Sequence, residues 1–494
     1  MNKETRIVLT AALVFFFLAN IAFSQTPPNK EKQIDFYVRS FISATQIAGL
    51  AIAVVENDQI TIAKAYGVKN LETMEPVTTK SIFHMASVSK TFAATAIMQL
   101  VEKGKIILDD PLIQYLPYFR LNDPRYKDIT IRQMLSHTSG IPDEDDYEWE
   151  KPQFDDGAAE RYVRSLVDEK MVATPGSKEW HYSNMAYDIL ADVIAKVSRT
   201  TFEDYVKKNI LEPLDMKESD FLLARIKPEL RTTPHVWYRN ILPKAYPIYP
   251  YNRRHAPSST LNSNILEMCN WATANMNRGA FKGKIILKES SYSAMFAPHA
   301  KIDENQSMGL GWFLGSYRGL KMISHAGGDE GYRSYLAMFP EKSLAVLFVG
   351  NSDYFSRTEL LNGMTDVMLG LAPKPIKARI SLVLAHTIIS RDVQKAIEQY
   401  RDLKKNRPDA YDFSEGELCN LGFKLLNSNR LDEAVKIVNL NLEFFPVSAE
   451  TYWLLAEVYQ AKGLKELAIE NYKKALEISP NHDKAKEALL KLKK

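Results

Sequence analysis

The last quarter of the chain repeats itself every 34 residues, and that self-similarity restricts its fold more tightly than any other feature of the sequence. Leu421, Ala434 and Pro446 recur as Leu455, Ala468 and Pro480. Tyr452, Tyr459, Tyr472 and Ala475 fill the other large and small positions of the unit. A weaker copy precedes them, with Ala396, Tyr400 and Pro408 at matching offsets and about four extra residues before the next unit. A period of this length describes a helical hairpin that cannot bury its apolar side alone, so successive hairpins stack. Three hairpins and a closing helix over 483–493 predict a small all-α solenoid. Such a solenoid offers a concave surface to a peptide or protein. It serves equally as a scaffold that packs against the rest of the chain or dimerises, and both readings stay open.

Upstream the pattern changes. Residues 50–55 and 59–66 are apolar, β-rich runs around Glu56-Asn57-Asp58, which predicts a hairpin. Residues 332–339 and 344–349 flank Pro340-Glu341-Lys342-Ser343 and predict a second. Helical patterns fill the middle, including 185–197 and 264–276. Strands at both ends with helices between them predict one sheet built from both termini of a domain, plus a helical subdomain. Leu371-Ala372-Pro373-Lys374-Pro375 opposes both helix and sheet and predicts a linker.

Chemistry enters at Ser87-Val88-Ser89-Lys90. The run 91–101 behind it carries Phe92, Ala96, Ile97 and Leu100 at the spacing of one apolar helix face, and Gly104 ends it. Positions three apart share a helix face, so the Lys90 amine can sit beside the Ser87 hydroxyl. A serine hydroxyl becomes a good nucleophile only when a neighbouring base takes its proton. Tyr182-Ser183-Asn184 follows 95 residues after Ser87, and His325-Ala326-Gly327-Gly328 follows 238 residues after it.

This ordered triplet resembles that of the serine β-lactamases and penicillin-binding proteins. The flanking Met134-Leu135-Ser136-His137-Thr138-Ser139-Gly140, Leu211-Glu212-Pro213-Leu214-Asp215-Met216 and Gly309-Leu310-Gly311-Trp312 resemble the same group. Residues 33–371 are most similar to the class C β-lactamase-related serine hydrolases, which include D-aminopeptidases and family VIII-type carboxylesterases. The repeats resemble tetratricopeptide repeats.

The resemblance implies an α/β fold, an antiparallel sheet covered by helices with the site in the cleft beside a helical subdomain, followed by the all-α solenoid. It implies that Ser87 is acylated and that Lys90 accepts its proton or holds the acceptor's charge state. Tyr182 would complete the base system, because a positive charge favours a neighbouring phenolate, and would then protonate the leaving group. Asn184 would orient Lys90 and the substrate amide. The backbone N–H groups of Ser87 and Gly328 would form the oxyanion hole, with Gly327 and Gly328 letting the strand approach the substrate. His325 departs from the Lys-Thr-Gly usual at this place. With an ordinary pKa of about 6.5 it is mostly neutral at pH 7, so a permanent carboxylate clamp is weakened. His137 reads as structural, holding loops near the site.

Other classes of function find no support. Net charge is only +3, which gives no electrostatic case for nucleic acid or an anionic surface. Neither His-Glu-x-x-His nor Cys-x-x-Cys appears, and Gly-x-Ser-x-Gly is absent, so no metal, no cofactor and no nucleophile elbow are expected. Asp143-Glu144-Asp145-Asp146 reads as an acidic surface loop. Cys269 and Cys419 fall in different segments and read as unpaired thiols. Lys3, Arg6, the apolar run 7–23 and Ala22-Phe23-Ser24 read as an export signal, with an uncleaved membrane anchor as the alternative.

The expected organisation is a signal at 1–24, a hydrolase domain at 25–371, a linker at 372–376 and repeats at 377–494. The expected function is an exported, periplasmic serine hydrolase acting on an ester or amide, a D-amino-acid peptide or small ester before a β-lactam. The alternative is a catalytically weak recognition protein whose repeats recruit a partner.

Overall fold

The computed structural model describes residues 29–177, 179–237 and 240–492. The expected export signal lies outside the described residues, and no described helix is long and apolar enough to cross a membrane. Eight strands form the main sheet: β1 (Gly49–Glu56), β2 (Gln59–Gly67), β3 (Ala300–Lys301), β4 (Ser307–Met308), β5 (Phe313–Tyr317), β6 (Leu320–Asp329), β7 (Tyr332–Phe339) and β8 (Leu344–Gly350). Their spatial order is β2-β1-β8-β7-β6-β5-β4-β3, and every neighbour is antiparallel. The first hairpin turns at Asn57 and Asp58, both left-handed (φ 50 and 63), the conformation of a two-residue turn that matches strand twist. Both termini contribute to the sheet, as the alternating runs predict, because β1 pairs with β8.

The helices around the sheet are α1 (Lys30–Thr45), α2 (Ser89–Glu102), α3 (Asn184–Ser198), α4 (Ile265–Met276) and α5 (Arg357–Met368). Strand alternation sorts the central strands into two cores. Leu50, Ile52 and Val54 of β1 and Val346 and Phe348 of β8 join α1 and α5 on one face. Ala51, Ala53 and Val55, with Leu347 and Val349, meet α2, α4 and the helical subdomain on the other. The sequence suggests one apolar face for α2, yet every residue from Ser89 to Leu100 is buried. A helix packed on all sides holds whatever stands at its N-terminus rigidly.

The solenoid follows as three hairpins and a closing helix. These are α6 (Ile380–Ser390) with α7 (Val393–Asn406), α8 (Glu415–Asn427) with α9 (Leu431–Phe444), α10 (Ala449–Ala461) with α11 (Lys465–Ile478), then α12 (Asp483–Leu492). Ala396, Ala434 and Ala468, the small positions of the repeat, are fully buried, as is required for close helix crossing. The first two hairpins contribute to the contact with the sheet domain. Trp237 is buried with Lys424 Nζ 4.0 Å and Arg379 Cζ 4.7 Å from its ring centre. Its Nε1 donates to Ile241 O at 2.6 Å, and Ile241 belongs to the core of the repeats. Burial, and then the charge of Arg379, pushes the Lys424 amine down to about 8.

Helices α1 and α5 cross at a position where only glycine fits. A Cβ on Gly363 would lie 1.9 Å from Tyr37 Cζ, and the Tyr37 hydroxyl donates to Glu359 O at 2.9 Å. Replacing Gly363 by valine must displace that ring. We expect a loss of about 1–3 kcal/mol, read as a lower thermal unfolding midpoint.

Candidate active site

Ser87 does not open α2 directly; it sits in a single 3₁₀ turn, Ala86–Val88, just ahead of the helix. Ala86, fully buried, is left-handed with φ 49, a strained conformation for a residue with a side chain. Two contacts from the sheet hold the turn there. Ser334 Oγ on β7 donates to Met85 O at 2.7 Å. Gly327 on β6 lies so close that a Cβ would stand 2.3 Å from Met85 O and 3.2 Å from Ala86 Cβ. Ser87 is half-buried among fully buried neighbours, so its hydroxyl faces the cleft.

Lys90, one turn on, is fully buried and donates to three acceptors, none a carboxylate. These are Ser87 Oγ at 3.2 Å, Asn184 Oδ1 at 2.5 Å and Ser258 O at 2.8 Å. The set fixes the proton geometry. As an ammonium, Lys90 donates to all three; as a neutral amine it donates to Asn184 and Ser258 and turns its lone pair to the Ser87 proton. The two remote acceptors are themselves anchored. Asn184 donates from its backbone N (2.7 Å) and its Nδ2 (2.9 Å) to Asp143 Oδ1, which leaves its Oδ1 facing Lys90. Ser258 N donates to Asp188 Oδ1 at 3.2 Å, and Asp188 Oδ2 meets His255 Nδ1 at 2.7 Å with both side chains fully buried.

Tyr182 reaches Lys90 through its ring: the ammonium is 5.1 Å from the ring centre, and the phenol oxygen is not among the partners of Nζ. The ring stacks on His137 at 4.3 Å and faces Phe313 at 6.5 Å. Gly328 follows Gly327 on the strand beside the nucleophile, opposite Arg333 of β7.

His325 behaves differently from a substrate-facing residue. It is only 1% exposed, its Nδ1 donates to Ala326 O at 2.8 Å, and its Nε2 has no hydrogen-bond partner among the described residues. Burial, and then the nearby Lys90 charge, pushes its pKa down to about 3. It therefore carries no positive charge at neutral pH, and the missing lysine of the motif is not replaced at its own position. The cations stand elsewhere. A Cβ on Gly328 would lie 2.9 Å from Arg357 Nη1 and 3.2 Å from Arg333 Nη1. Arg333 is tied to Asp329 O and Tyr332 O. Arg357, at the start of α5, has no hydrogen-bond or ion-pair partner among the described residues, and burial holds its pKa below the usual range.

The structure thus brings together Ser87, Lys90 and Asn184 by hydrogen bonds, Tyr182 by ring contact, and Gly327 and Gly328 by strand packing. Several contributors are missing from the sequence reading. The acidic loop is more than a solvated surface, because Asp143 orients Asn184 and Glu144 accepts from Tyr162 at 2.6 Å. Asp188, His255 and Arg357 carry no local motif. Arg333 was accessible in principle, since the tight turn after Asp329 places it opposite Gly328.

A family model for the Beta-lactamase family matches residues 34–366. The chain belongs to the Beta-lactamase family. A second model, Tetratricopeptide repeat, matches residues 449–482. Among similar proteins is the Beta-lactamase-like protein 2 of Dictyostelium discoideum, 26% identical over 372 residues, covering 70% of this chain and 66% of the relative. Protein flp of Staphylococcus aureus is 24% identical over 334 residues, covering 65% of this chain and 63% of its own. The chain thus spans just under two thirds of the length of these relatives. Among solved structures, the octameric penicillin-binding protein homologue from Pyrococcus abyssi superimposes with a TM-score of 0.60 at 24% identity, covering 69% of this chain and 78% of that one. That likeness establishes the transpeptidase-like fold.

Two predictions follow from the geometry of this Beta-lactamase family site. Gly327→Ala drives a methyl group into the Met85 carbonyl and should cost about 1–3 kcal/mol of stability, whereas Gly328→Ala meets only side-chain atoms of Arg357 and Arg333 and should cost less. The thermal unfolding midpoints of the two variants measure the contrast. His325 stays neutral when folded but takes up a proton near 6.5 when unfolded, so its contribution to stability is complete above that pH. It is withdrawn as pH falls towards 3, at up to ~1.4 kcal/mol per pH unit. Denaturant titrations between pH 7 and 4 should show stability falling with pH, to which buried His137 contributes in the same direction, and His325→Gln should reduce the slope without abolishing it.

Proposed function

We propose that this chain is an exported serine hydrolase that works through an acyl-enzyme on Ser87. One observation carries the reading: Lys90 lies 3.2 Å from Ser87 Oγ with its two other donors already committed to Asn184 and Ser258. A base so arranged has a single direction in which to accept a proton. Ser87 Oγ attacks the carbonyl carbon of an ester or amide as Lys90 takes its proton, and the N–H groups of Ser87 and Gly328 stabilise the oxyanion. The carbonyl-to-heteroatom bond breaks, the leaving group receives a proton through Tyr182, and water then hydrolyses the acyl-enzyme by the reverse proton path.

The unpaired Arg357 beside Gly328 supports a substrate that carries a carboxylate, such as a short D-amino-acid peptide, ahead of a simple ester or a β-lactam. Membership of the Beta-lactamase family supports the reaction type. The tetratricopeptide match supports a capacity to bind protein through the repeats. The amino-terminal apolar segment supports export to the periplasm.

A second reading has one observation in its favour, the absence of the Tyr182 hydroxyl from the Lys90 hydrogen-bond set. On that reading the chain is a recognition protein with weak catalysis. Hydrolysis of a short-chain nitrophenyl ester and of carboxylate-bearing D-peptides by residues 25–494 separates the two. On the hydrolase reading, turnover falls by on the order of 10³-fold or more in Ser87→Ala. Arg357→Ala should raise KM for the D-peptides and leave the neutral ester unchanged. Saturable D-peptide binding without Ser87-dependent turnover would favour the recognition reading.

A further inference from the structure

The histidine of His-Thr-Ser-Gly is tied to the tyrosine of the site at three points. His137 O accepts from His181 N at 3.0 Å, and His137 Nδ1 accepts from Ser183 N at 3.1 Å. The residues on both sides of Tyr182 are therefore bonded to the same residue. Between them the Tyr182 ring stacks on the imidazole at 4.3 Å, with the planes 28° apart. His137 can present its carbonyl and its ring to one segment because it is left-handed, with φ 56. Few residue types fit that demand. Asparagine tolerates the backbone and offers an acceptor but has no ring; phenylalanine has the ring but no acceptor.

The Ser183 N–H also fixes which nitrogen carries the proton. With Nδ1 accepting, the proton sits on Nε2, which is buried without a partner among the described residues. Protonating Nδ1 would break that bond inside the protein and add a second cation near Lys90. Burial, Lys90 and then His325 accordingly hold His137 well below its usual range. The other rings against it, Trp180 and Tyr187, add no charge at neutral pH. What Tyr182 packs on at neutral pH is an uncharged ring held at both ends of the Tyr182 segment.

We propose that His137 is a positioning residue for Tyr182, holding the phenol in register with Ser87 and Lys90, and not merely a brace between loops. The inference rests on the hydrolase reading above. A loose phenol transfers protons poorly, and the neutral ester probe makes no use of Arg357, so the loss falls on kcat.

The test is a double-mutant cycle in the mature chain, with a short-chain nitrophenyl ester as probe. His137→Asn keeps the acceptor and the backbone but removes the ring. It should lower kcat by on the order of 10-fold to 10²-fold and change KM less than about two-fold. Tyr182→Phe should lower kcat on its own, and adding His137→Asn to it should then have little further effect. Full additivity of the two losses, or a His137→Asn enzyme as fast as the parent, would overturn the proposal. Circular dichroism and the thermal midpoint certify the fold, and His137→Gln, whose longer amide also reaches an amide N–H, replaces a variant that fails to fold. Turnover that survives Ser87→Ala would instead overturn the hydrolase reading on which the proposal stands.

Discussion

A buried ammonium with no carboxylate beside it organises this protein. Lys90 has lost its water, and an unsatisfied buried cation is intolerable, so three neutral oxygens must converge on it. Each comes from a different part of the chain: Ser87 from the turn ahead of α2, Asn184 from the start of α3, and Ser258 from the turn before α4. Satisfying one charge therefore docks the helical subdomain onto the central helix. Asp143 and the Asp188–His255 pair stand one shell out and stop the acceptors from turning away. As a neutral amine in the same arrangement, Lys90 commits its two N–H groups to Asn184 and Ser258 and turns its lone pair towards the serine.

Much of this was legible in the residues. The alternating runs at both ends give the sheet, the 34-residue period gives the solenoid, and the three-residue step from Ser87 to Lys90 gives the pair at its heart. What could not be read depends on contacts between distant segments. The sequence places Ser87 where the helix begins, yet the close approach of Gly327 and Ser334 keeps it in a separate strained turn. Asp143 looks like one of four solvated acids until Asn184 is brought against it. Arg357 looks like an ordinary first-turn residue of α5, and only the sheet puts it beside Gly328. His325 shows the limit from the other side. Its neutrality follows from its chemistry alone, but its burial follows from packing.

The repeats illustrate the same division. Their period announces stacked hairpins without saying what they face. In the structure Arg379, just ahead of the first hairpin, and Lys424 of the second both lie against the ring of Trp237. Two cations over one buried ring form a directional contact that neither helical periodicity nor net charge reveals. That contact fixes how the start of the solenoid meets the sheet domain.

The pairing of Leu50 with Gly350 imposes an order of events on the emerging polypeptide. The first strand made is the neighbour of the last one made, so the centre of the sheet stays open until almost the whole domain has left the ribosome. The amino-terminal hairpin must wait with one edge bare, and closing so long a loop is entropically slow. The sheet domain can therefore reach its final packing only after Gly350 has emerged, however early its first hairpin forms.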